Sequence, residues 1–160
     1  MNAITVLKAD HKRVEQLFKK FEKAGDGADA TKAALVKEII EELSVHAAIE
    51  EEVFYPASRK EVTSSEDDVL ESLEEHHIVK WTLSELEKMK PSDERFDAKV
   101  TVLIESVRHH VEEEETELFP EVAAKLSRKQ LSDLGVALEE ARKTAPKRPH
   151  PQASDTPGKK

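Results

Sequence analysis

The strongest constraint on the fold of this chain is a polar motif that occurs twice. The stretch "SVHAAIEEEVFYP" covers residues 44–56, and "VRHHVEEEETELFP" covers residues 107–120. Both copies read His-x-x-x-Glu-Glu-x-x-x-aromatic-Pro. The matched positions are His46 and His110, Glu50 and Glu114, Glu51 and Glu115, Tyr55 and Phe119, and Pro56 and Pro120. Because a histidine and a glutamate four positions apart share one helix face, each copy predicts a polar patch on a helix.

Apolar residues at helical spacing surround each copy and predict four long helices. We place these helices at about residues 3–23, 31–55, 65–90 and 92–118. Pro56 is expected to end the second helix, with a polar loop after it. Helices of this length joined by short loops indicate an all-α fold, an antiparallel up-down four-helix bundle. The chain has only four glycines, which agrees with a helical bundle.

The chain after the second copy has a different composition. A capping box at Ser127 and Gln130 predicts a short fifth helix at residues 124–143. Residues 144–160 are rich in proline and polar side chains and are expected to be disordered. The expected organisation is therefore a bundle at 1–123, a short C-terminal helix at 124–143 and a tail at 144–160.

Composition excludes several classes of function. The chain has no cysteine, which rules out disulfides and thiolate metal sites. It has no apolar stretch of the ~18 residues that a membrane span needs and no start resembling a signal peptide, so we expect a cytoplasmic protein without membrane contact. The net charge of -9 argues against nucleic acid as a partner. A monomer or weak homodimer is expected.

Each of the four predicted helices places a histidine on its otherwise apolar face, and two of them add a glutamate. The six residues are His11, His46, His76, His110, Glu50 and Glu114. In a bundle these side chains point at the axis, where unpaired charged groups are strongly destabilising. A metal ion removes that cost because it accepts lone pairs from neutral imidazole and from carboxylates. We therefore expect all six residues to be metal ligands.

The duplication of the motif indicates two metal ions. Each His-x-x-x-Glu copy, joined by a lone histidine from a neighbouring helix, makes half of a site, and a glutamate can bridge two cations through its two oxygens. Nitrogen and oxygen ligands without sulfur favour iron, with manganese or zinc as alternatives. The expected cofactor is a pair of iron ions with an oxo or hydroxo bridge.

Two assignments remain open at this point. His76 keeps step with the apolar stripe of its helix and is preferred as the ligand, with His77 as the alternative. Tyr55 is either an aromatic plug at one end of the bundle, or a ligand or hydrogen-bond donor at the site. Three further glutamates of the motif are expected to face solvent: Glu51, Glu52 and Glu115.

On these residues the chain resembles the hemerythrin family, in particular the bacterial hemerythrin-like HHE cation-binding domains. The resemblance covers about residues 3–122 and rests on "DH" at His11, "HAAIEEEVFYP", "EEHH" and "HVEEEETELFP". It implies a four-helix bundle with a non-haem di-iron centre that binds dioxygen or a related small molecule. It also implies that the four core histidines ligate the irons and that Glu50 and Glu114 bridge them.

The chain departs from the family pattern at one place. Oxygen-carrying hemerythrins have His-x-x-x-His on the third helix, whereas here Lys80 follows His76 at that distance and Trp81 follows His77. The site is therefore expected to be one histidine short, with water or Tyr55 as substitute. That vacancy favours reaction with H2O2 or NO over reversible O2 carriage. An iron buffer, or an O2 or iron sensor without turnover, is the alternative function, and whether the chain is an enzyme stays open.

Overall fold

The computed structural model describes residues 1–149, and within that range all regular structure is helical. The expected all-α bundle is therefore confirmed. The α-helices are α1 (Ala3–Lys23), α2 (Asp29–Ile49), α3 (Tyr55–Glu61), α4 (Glu66–Leu86), α5 (Phe96–Glu113), α6 (Phe119–Lys125) and α7 (Arg128–Thr144). A short 3-10 turn at Thr63–Ser65 precedes α4. None of the helices within residues 1–149 is long and apolar enough to cross a membrane.

Two π-helical segments interrupt the long helices at the repeated motif. The first, Glu50–Phe54, joins α2 to α3, and the second, Glu114–Leu118, joins α5 to α6. The expectation that Pro56 ends its helix is wrong, because the chain stays helical to Glu61. A π turn closes with hydrogen bonds five residues apart, and here the Tyr55 amide donates to the Glu50 carbonyl. This wider turn places Pro56 in the first turn of α3. A proline is tolerated there because the first turn of an α-helix does not need its backbone N–H.

The hydrophobic core consists of two clusters with a polar layer between them. The first cluster includes Phe18, Leu83 and Phe96 and fills the bundle around the α1–α2 connection. The second includes Leu7 and Phe54 and is shared with α3, α6 and α7. Each long helix has one buried histidine, and it lies between the residues of these two clusters along the bundle. The four are His11, His46, His76 and His110. The polar layer therefore crosses the bundle in its interior, away from solvent.

The fifth helix, α7, lies outside the four-helix bundle and packs against α1, α2 and the first π segment. Its predicted capping box forms, with the Ser127 hydroxyl accepting from the Gln130 amide. The helix starts later than the expected residue 124 because α6 continues past Pro120 to Lys125. Of the residues expected to form a tail, Arg148 makes an ion pair with Glu87 at 2.6 Å, and residues 150–160 lie outside the described range.

Candidate metal centre

The polar layer brings together all six side chains that the sequence singles out. His11 comes from α1, His46 from α2, His76 from α4 and His110 from α5, and all four are buried. Glu50 and Glu114 are the first residues of the two π segments and are 0% and 1% exposed. The six residues form two overlapping groups in which the ligand atoms lie within 4.8 Å of one another.

The first half-site consists of His11, His46, Glu50 and Glu114. The Nε2 atom of His11 lies 3.1 Å from Glu114 Oε1, and the Nε2 atom of His46 lies 3.1 Å from Glu50 Oε1. The two imidazole rings meet edge to face, with their centroids 5.0 Å apart. Phe119 closes one side, stacked on the His11 ring at 5.8 Å.

The second half-site consists of His76 and His110 together with the same two glutamates. The Nε2 atom of His76 lies 3.1 Å from Glu50 Oε1, and that of His110 lies 3.4 Å from Glu114 Oε2. Tyr55 is fully buried here, and its hydroxyl donates to Glu114 Oε2 at 2.5 Å. The Tyr55 hydroxyl oxygen is also 3.2 Å from Glu50 Oε1 and 3.2 Å from His76 Nε2.

The two glutamates belong to both half-sites. Glu114 faces His11 with Oε1 and His110 with Oε2, while Glu50 Oε1 lies equally close to His46 and His76. Two cations placed in the half-sites would therefore share both carboxylates. Glu114 has the two-oxygen arrangement that the duplicated motif predicts, whereas Glu50 presents one oxygen to both of its histidines.

The first π segment explains why Tyr55 reaches the site. In an α-helix a residue five positions after Glu50 would lie about 140° away around the helix axis. The wider π turn returns position i+5 to nearly the face of position i. Tyr55 consequently points into the layer that contains Glu50, rather than only plugging the bundle end. Its role as a ligand remains a prediction.

A ring of outer carboxylates holds the four histidines. Each Nδ1 lies within hydrogen-bond distance of a carboxylate oxygen: Glu115 for His11 at 2.6 Å, Asp10 for His46 at 2.9 Å, Glu51 for His76 at 2.8 Å and Glu75 for His110 at 2.6 Å. A carboxylate can only accept, so the proton of a neutral imidazole is placed on Nδ1 and the lone pair on Nε2. All four Nε2 atoms then present lone pairs to the centre, as metal-binding histidines require.

The sequence pattern does not predict the positions of these outer carboxylates. The expectation that Glu51 and Glu115 face solvent is wrong, because their side chains are 14% and 33% exposed and contact histidines. Asp10 and Glu75 lie outside the repeated motif, so the pattern assigns them no role. A usable signal exists, since Asp10 directly precedes His11 and Glu75 directly precedes His76 in the sequence.

The two other histidines within the described residues, His77 and His109, lie outside the cluster. His77 is exposed, and His109 is 66% exposed and pairs with Glu113 on the outer surface of α5. Lys80 lies four residues after His76, one turn along the same helix. Its Nζ lies 2.9 Å from Glu51 Oε1, so it braces the carboxylate that holds His76.

The charged groups of the centre shift one another's pKa values. Burial disfavours the charged imidazole, but the Glu50 and Asp10 carboxylates outweigh it and raise the pKa of His46 to about 10. The pKa of His110 is raised well above its ordinary value because Glu114 outweighs burial in the same way. Burial and the carboxylates of Glu114 and Glu50 raise the pKa of Tyr55 well above 10.0. Without a cation in the cluster, protons bound to the histidines supply the positive charge that compensates the buried carboxylates.

The donor set fits a bound cation. Four buried atoms of the first half-site make no well-oriented hydrogen bond among the described residues: His11 Nε2, His46 Nε2, Glu50 Oε2 and Glu114 Oε1. The 3.1 Å approaches of His11 Nε2 to Glu114 Oε1 and of His46 Nε2 to Glu50 Oε1 do not have hydrogen-bond geometry. Unpaired polar atoms are rare in protein interiors, and here each belongs to a different residue of one group. Imidazole nitrogens and carboxylate oxygens are ligands suited to iron, manganese and zinc.

A helical bundle with a buried layer of four histidines and two glutamates defines a class of metal-binding bundle proteins. Within that class, the chain belongs to the hemerythrin family, because the hemerythrin HHE cation binding domain matches residues 2–122. The resemblance inferred from the motifs is thus confirmed.

Individual proteins with sequences or structures similar to this chain include two that are described as hemerythrin-like and one that is not. The chain is 28% identical over 149 residues to an uncharacterised hemerythrin-like protein of Schizosaccharomyces pombe, covering 92% of this chain and 72% of that protein. It is 32% identical over 130 residues to a protein of Nostoc named DNA nickase, covering 81% of this chain and 36% of that protein. A hemerythrin HHE domain protein of Mycobacterium kansasii, a homologue of Rv2633c, has a similar crystal structure, with a TM-score of 0.72 and 26% identity over 90% of this chain and 89% of the other.

Proposed function

We propose that this chain is a non-haem di-iron protein that binds or turns over a small oxidant, O2, H2O2 or NO. The observation that supports this most directly is the pair of half-sites sharing Glu50 and Glu114. Iron ions, when bound, would supply the electrons exchanged with the oxidant. The ligands in this proposal are His11, His46, His76, His110, Glu50 and Glu114.

The protein's own contribution is to hold the ligands rigidly. Each imidazole is fixed at Nδ1 by a carboxylate, so its orientation does not depend on the metal. Outer hydrogen bonds of this kind raise the basicity of the ligand and lower the cost of assembling the site. The arrangement supports tight binding that persists through a change in the charge of the ions.

Tyr55 is proposed to complete the second half-site in place of the missing histidine. Its hydroxyl donates a hydrogen bond to Glu114 Oε2, and its oxygen lies 3.2 Å from His76 Nε2 and 3.5 Å from His110 Nε2. A cation there would lie within reach of the phenol oxygen. Loss of the phenol proton would then provide an anionic oxygen ligand.

The space beside the histidines limits what can reach them. A cavity of about 30 Å³ lies among the four imidazole rings. Its other walls are apolar: Val14, Leu43, Ala47, Val79, Val107 and Val111. A space of this size holds about one water molecule or a similarly small molecule. The apolar walls favour uncharged diatomic ligands and peroxide over larger substrates.

The test is to count metal per chain after expression with iron and to record the ultraviolet-visible spectrum before and after adding H2O2. We expect about two irons per chain and charge-transfer absorption that changes on addition. Oxygen evolution beyond the iron present would indicate an enzyme. Two irons without turnover would indicate a carrier, buffer or sensor. A folded protein with less than about one metal per chain would refute the di-iron proposal.

The nickase activity in the name of the Nostoc relative is not included in this proposal. The match covers 36% of that protein, and the net charge of -9 repels phosphate backbones. We retain the expectations of no nucleic-acid partner, a cytoplasmic location and a monomer or weak homodimer. A mobility-shift assay at low salt, with metal-free and iron-loaded protein, tests the first of these.

A further inference from the structure

One of the four outer carboxylates is connected to the fifth helix. Asp10 is 1% exposed, and its Oδ2 lies 2.9 Å from His46 Nδ1. Arg142 of α7 donates from Nη2 to Asp10 Oδ1 at 3.0 Å and to Oδ2 at 3.1 Å. Arg13 also contacts Oδ1. The chain of contacts runs from α7 through Arg142 and Asp10 to His46, whose Nε2 belongs to the first half-site.

The other outer carboxylates differ from Asp10 in burial and in their partners. The side chains of Glu115, Glu75 and Glu51 are 33%, 22% and 14% exposed. Lys80, which braces Glu51, is itself on α4, inside the four-helix bundle. Asp10 is therefore the outer carboxylate that is held partly from outside the bundle, by Arg142, and partly from α1, by Arg13.

The position of α7 is fixed by close packing against the start of α1. A Cβ atom on Gly135 would collide with the carbonyl oxygen of Met1, so only glycine permits this approach. Leu138, one turn further along, is fully buried. These contacts determine where Arg142 meets Asp10, since Arg142 follows Leu138 by four residues on the same helix face.

We propose that Arg142 is a positioning residue for the first half-site and that docking of α7 and metal occupancy of that half-site are coupled. Arg142 holds the Asp10 carboxylate, and Asp10 holds the His46 ring with Nε2 directed at the centre. This inference rests on the proposed metal-binding function and adds that the fifth helix controls one of the two positions. Coupling of this kind is reciprocal, so metal at the first half-site stabilises the docked α7.

The first test is a titration of full-length metal-free protein with Co²⁺, followed by calorimetry and visible absorption. Arg142→Gln is expected to weaken binding at one of two positions by up to about 10-fold, at the low end of the roughly 10–100-fold that loss of a carboxylate directly bonded to a ligand costs. The other position should keep its affinity. Lys143→Gln is the matched control, because Lys143 is 68% exposed on the same helix and pairs with Glu140. If Arg142→Gln bound Co²⁺ at each of the two positions as tightly as the wild type does, the proposal would be overturned.

A double-mutant cycle separates positioning from a general loss of stability. If Arg142 acts through Asp10, Asp10→Asn combined with Arg142→Gln should bind Co²⁺ no more weakly than Asp10→Asn alone. Additive losses would contradict the proposal. Circular dichroism of the metal-free variants is measured first. Should Arg142→Gln lose helix, Arg142→Lys replaces it, since lysine keeps the charge without the planar donor geometry and should weaken one position only partly.

The reciprocal effect is measured by hydrogen exchange of α7 amides in metal-free and Co²⁺-loaded protein. Loading should slow exchange in α7 of the wild type and of Lys143→Gln, but not of Arg142→Gln. Gly135→Ala, which displaces α7 far from the site, should weaken the same position as Arg142→Gln. A wild type that binds no Co²⁺ refutes the proposed function itself, whereas two bound ions with unchanged α7 exchange refute only the coupling.

Discussion

The two half-sites are built from the same motif, yet the aromatic side chain at the matched position carries a hydroxyl group in only one of them. At matched positions the first half-site has Phe119 stacked on His11, and the second has Tyr55 donating to Glu114. Both histidine nitrogens of the cluster without a hydrogen bond, His11 Nε2 and His46 Nε2, belong to the first half-site, while in the second the phenol oxygen lies 3.2 Å from His76 Nε2. A duplicated sequence therefore sets the backbone symmetry, and an aromatic exchange makes the two half-sites chemically different.

The largest expected effect comes from removing what the two half-sites share. Glu114→Gln should lose both ions, with affinity reduced by more than about 100-fold, because Glu114 faces one histidine of each half-site. Metal analysis after dialysis measures this. Glu105→Gln is the control, since Glu105 is exposed on the same helix, α5, and belongs to neither half-site. Retention of one tightly bound ion in Glu114→Gln would show that the carboxylate serves only one half-site.

Metal-free protein should lose stability as pH rises, and the first half-site should account for part of the loss. With the pKa of His46 raised to about 10 by Glu50 and Asp10, the folded state binds an extra proton between pH about 6.5 and about 10. That stabilisation is complete below pH about 6.5 and disappears as pH rises through about 10. Urea unfolding at a series of pH values measures it.

His46→Gln should flatten this pH dependence, because the neighbouring carboxylates then have no imidazolium at this position to stabilise them. Metal affinity should change in the opposite direction and increase with pH, since the ions displace the same protons. A metal-free wild type whose free energy of unfolding is constant from pH 6.5 to 10 would contradict the assigned charges.

Tyr55→Phe should make the second half-site resemble the first. In metal-free protein it leaves Glu114 Oε2 without its donor, at a cost of about 1–3 kcal/mol. In loaded protein it should remove any phenolate charge-transfer band and weaken one position. Phe119→Leu is the comparison, since it opens a cavity without removing a hydroxyl and should destabilise metal-free and loaded protein alike. An unchanged spectrum and affinity in Tyr55→Phe would exclude the phenol as a ligand.

The smallest effects should come from the exposed outer carboxylates. Glu115→Gln in the first half-site and Glu51→Gln in the second should each weaken one position by about 10-fold. Glu51 should matter more, because it is less exposed and is braced by Lys80. Co²⁺ titrations of the two variants side by side measure the difference. The reverse order would mean that exposure does not govern how well these carboxylates orient histidine.

Most of the fold and the inner cluster could be predicted because they follow local periodicity. The residues on each apolar stripe, including His11 and His76, are buried as their spacing predicts. The helix ends at the prolines could not be predicted in this way. The π segments change the period from 3.6 residues, so Tyr55, five positions after Glu50, is buried on nearly the same face as Glu50.

The outer carboxylates could not be predicted for a different reason. A glutamate run such as that containing Glu51 is usually a solvated helix face, and only the three-dimensional arrangement turns part of it toward a histidine. The contact of Arg142 with Asp10 joins residues 132 positions apart, which no local pattern records.

Each π segment contains one more residue than an α-helical segment with the same number of turns, and this extra residue should be visible in sequence alignments. A relative that lacks the first segment should align with a single-position gap just after the residue equivalent to Glu50. In such a relative the aromatic residue that precedes the proline would lie four positions after that glutamate, on the same face of an α-helix, and would still point inward. A one-residue gap at this position would then identify, by sequence alignment alone, hemerythrin-like chains whose helix stays α-helical where this chain has its first π segment.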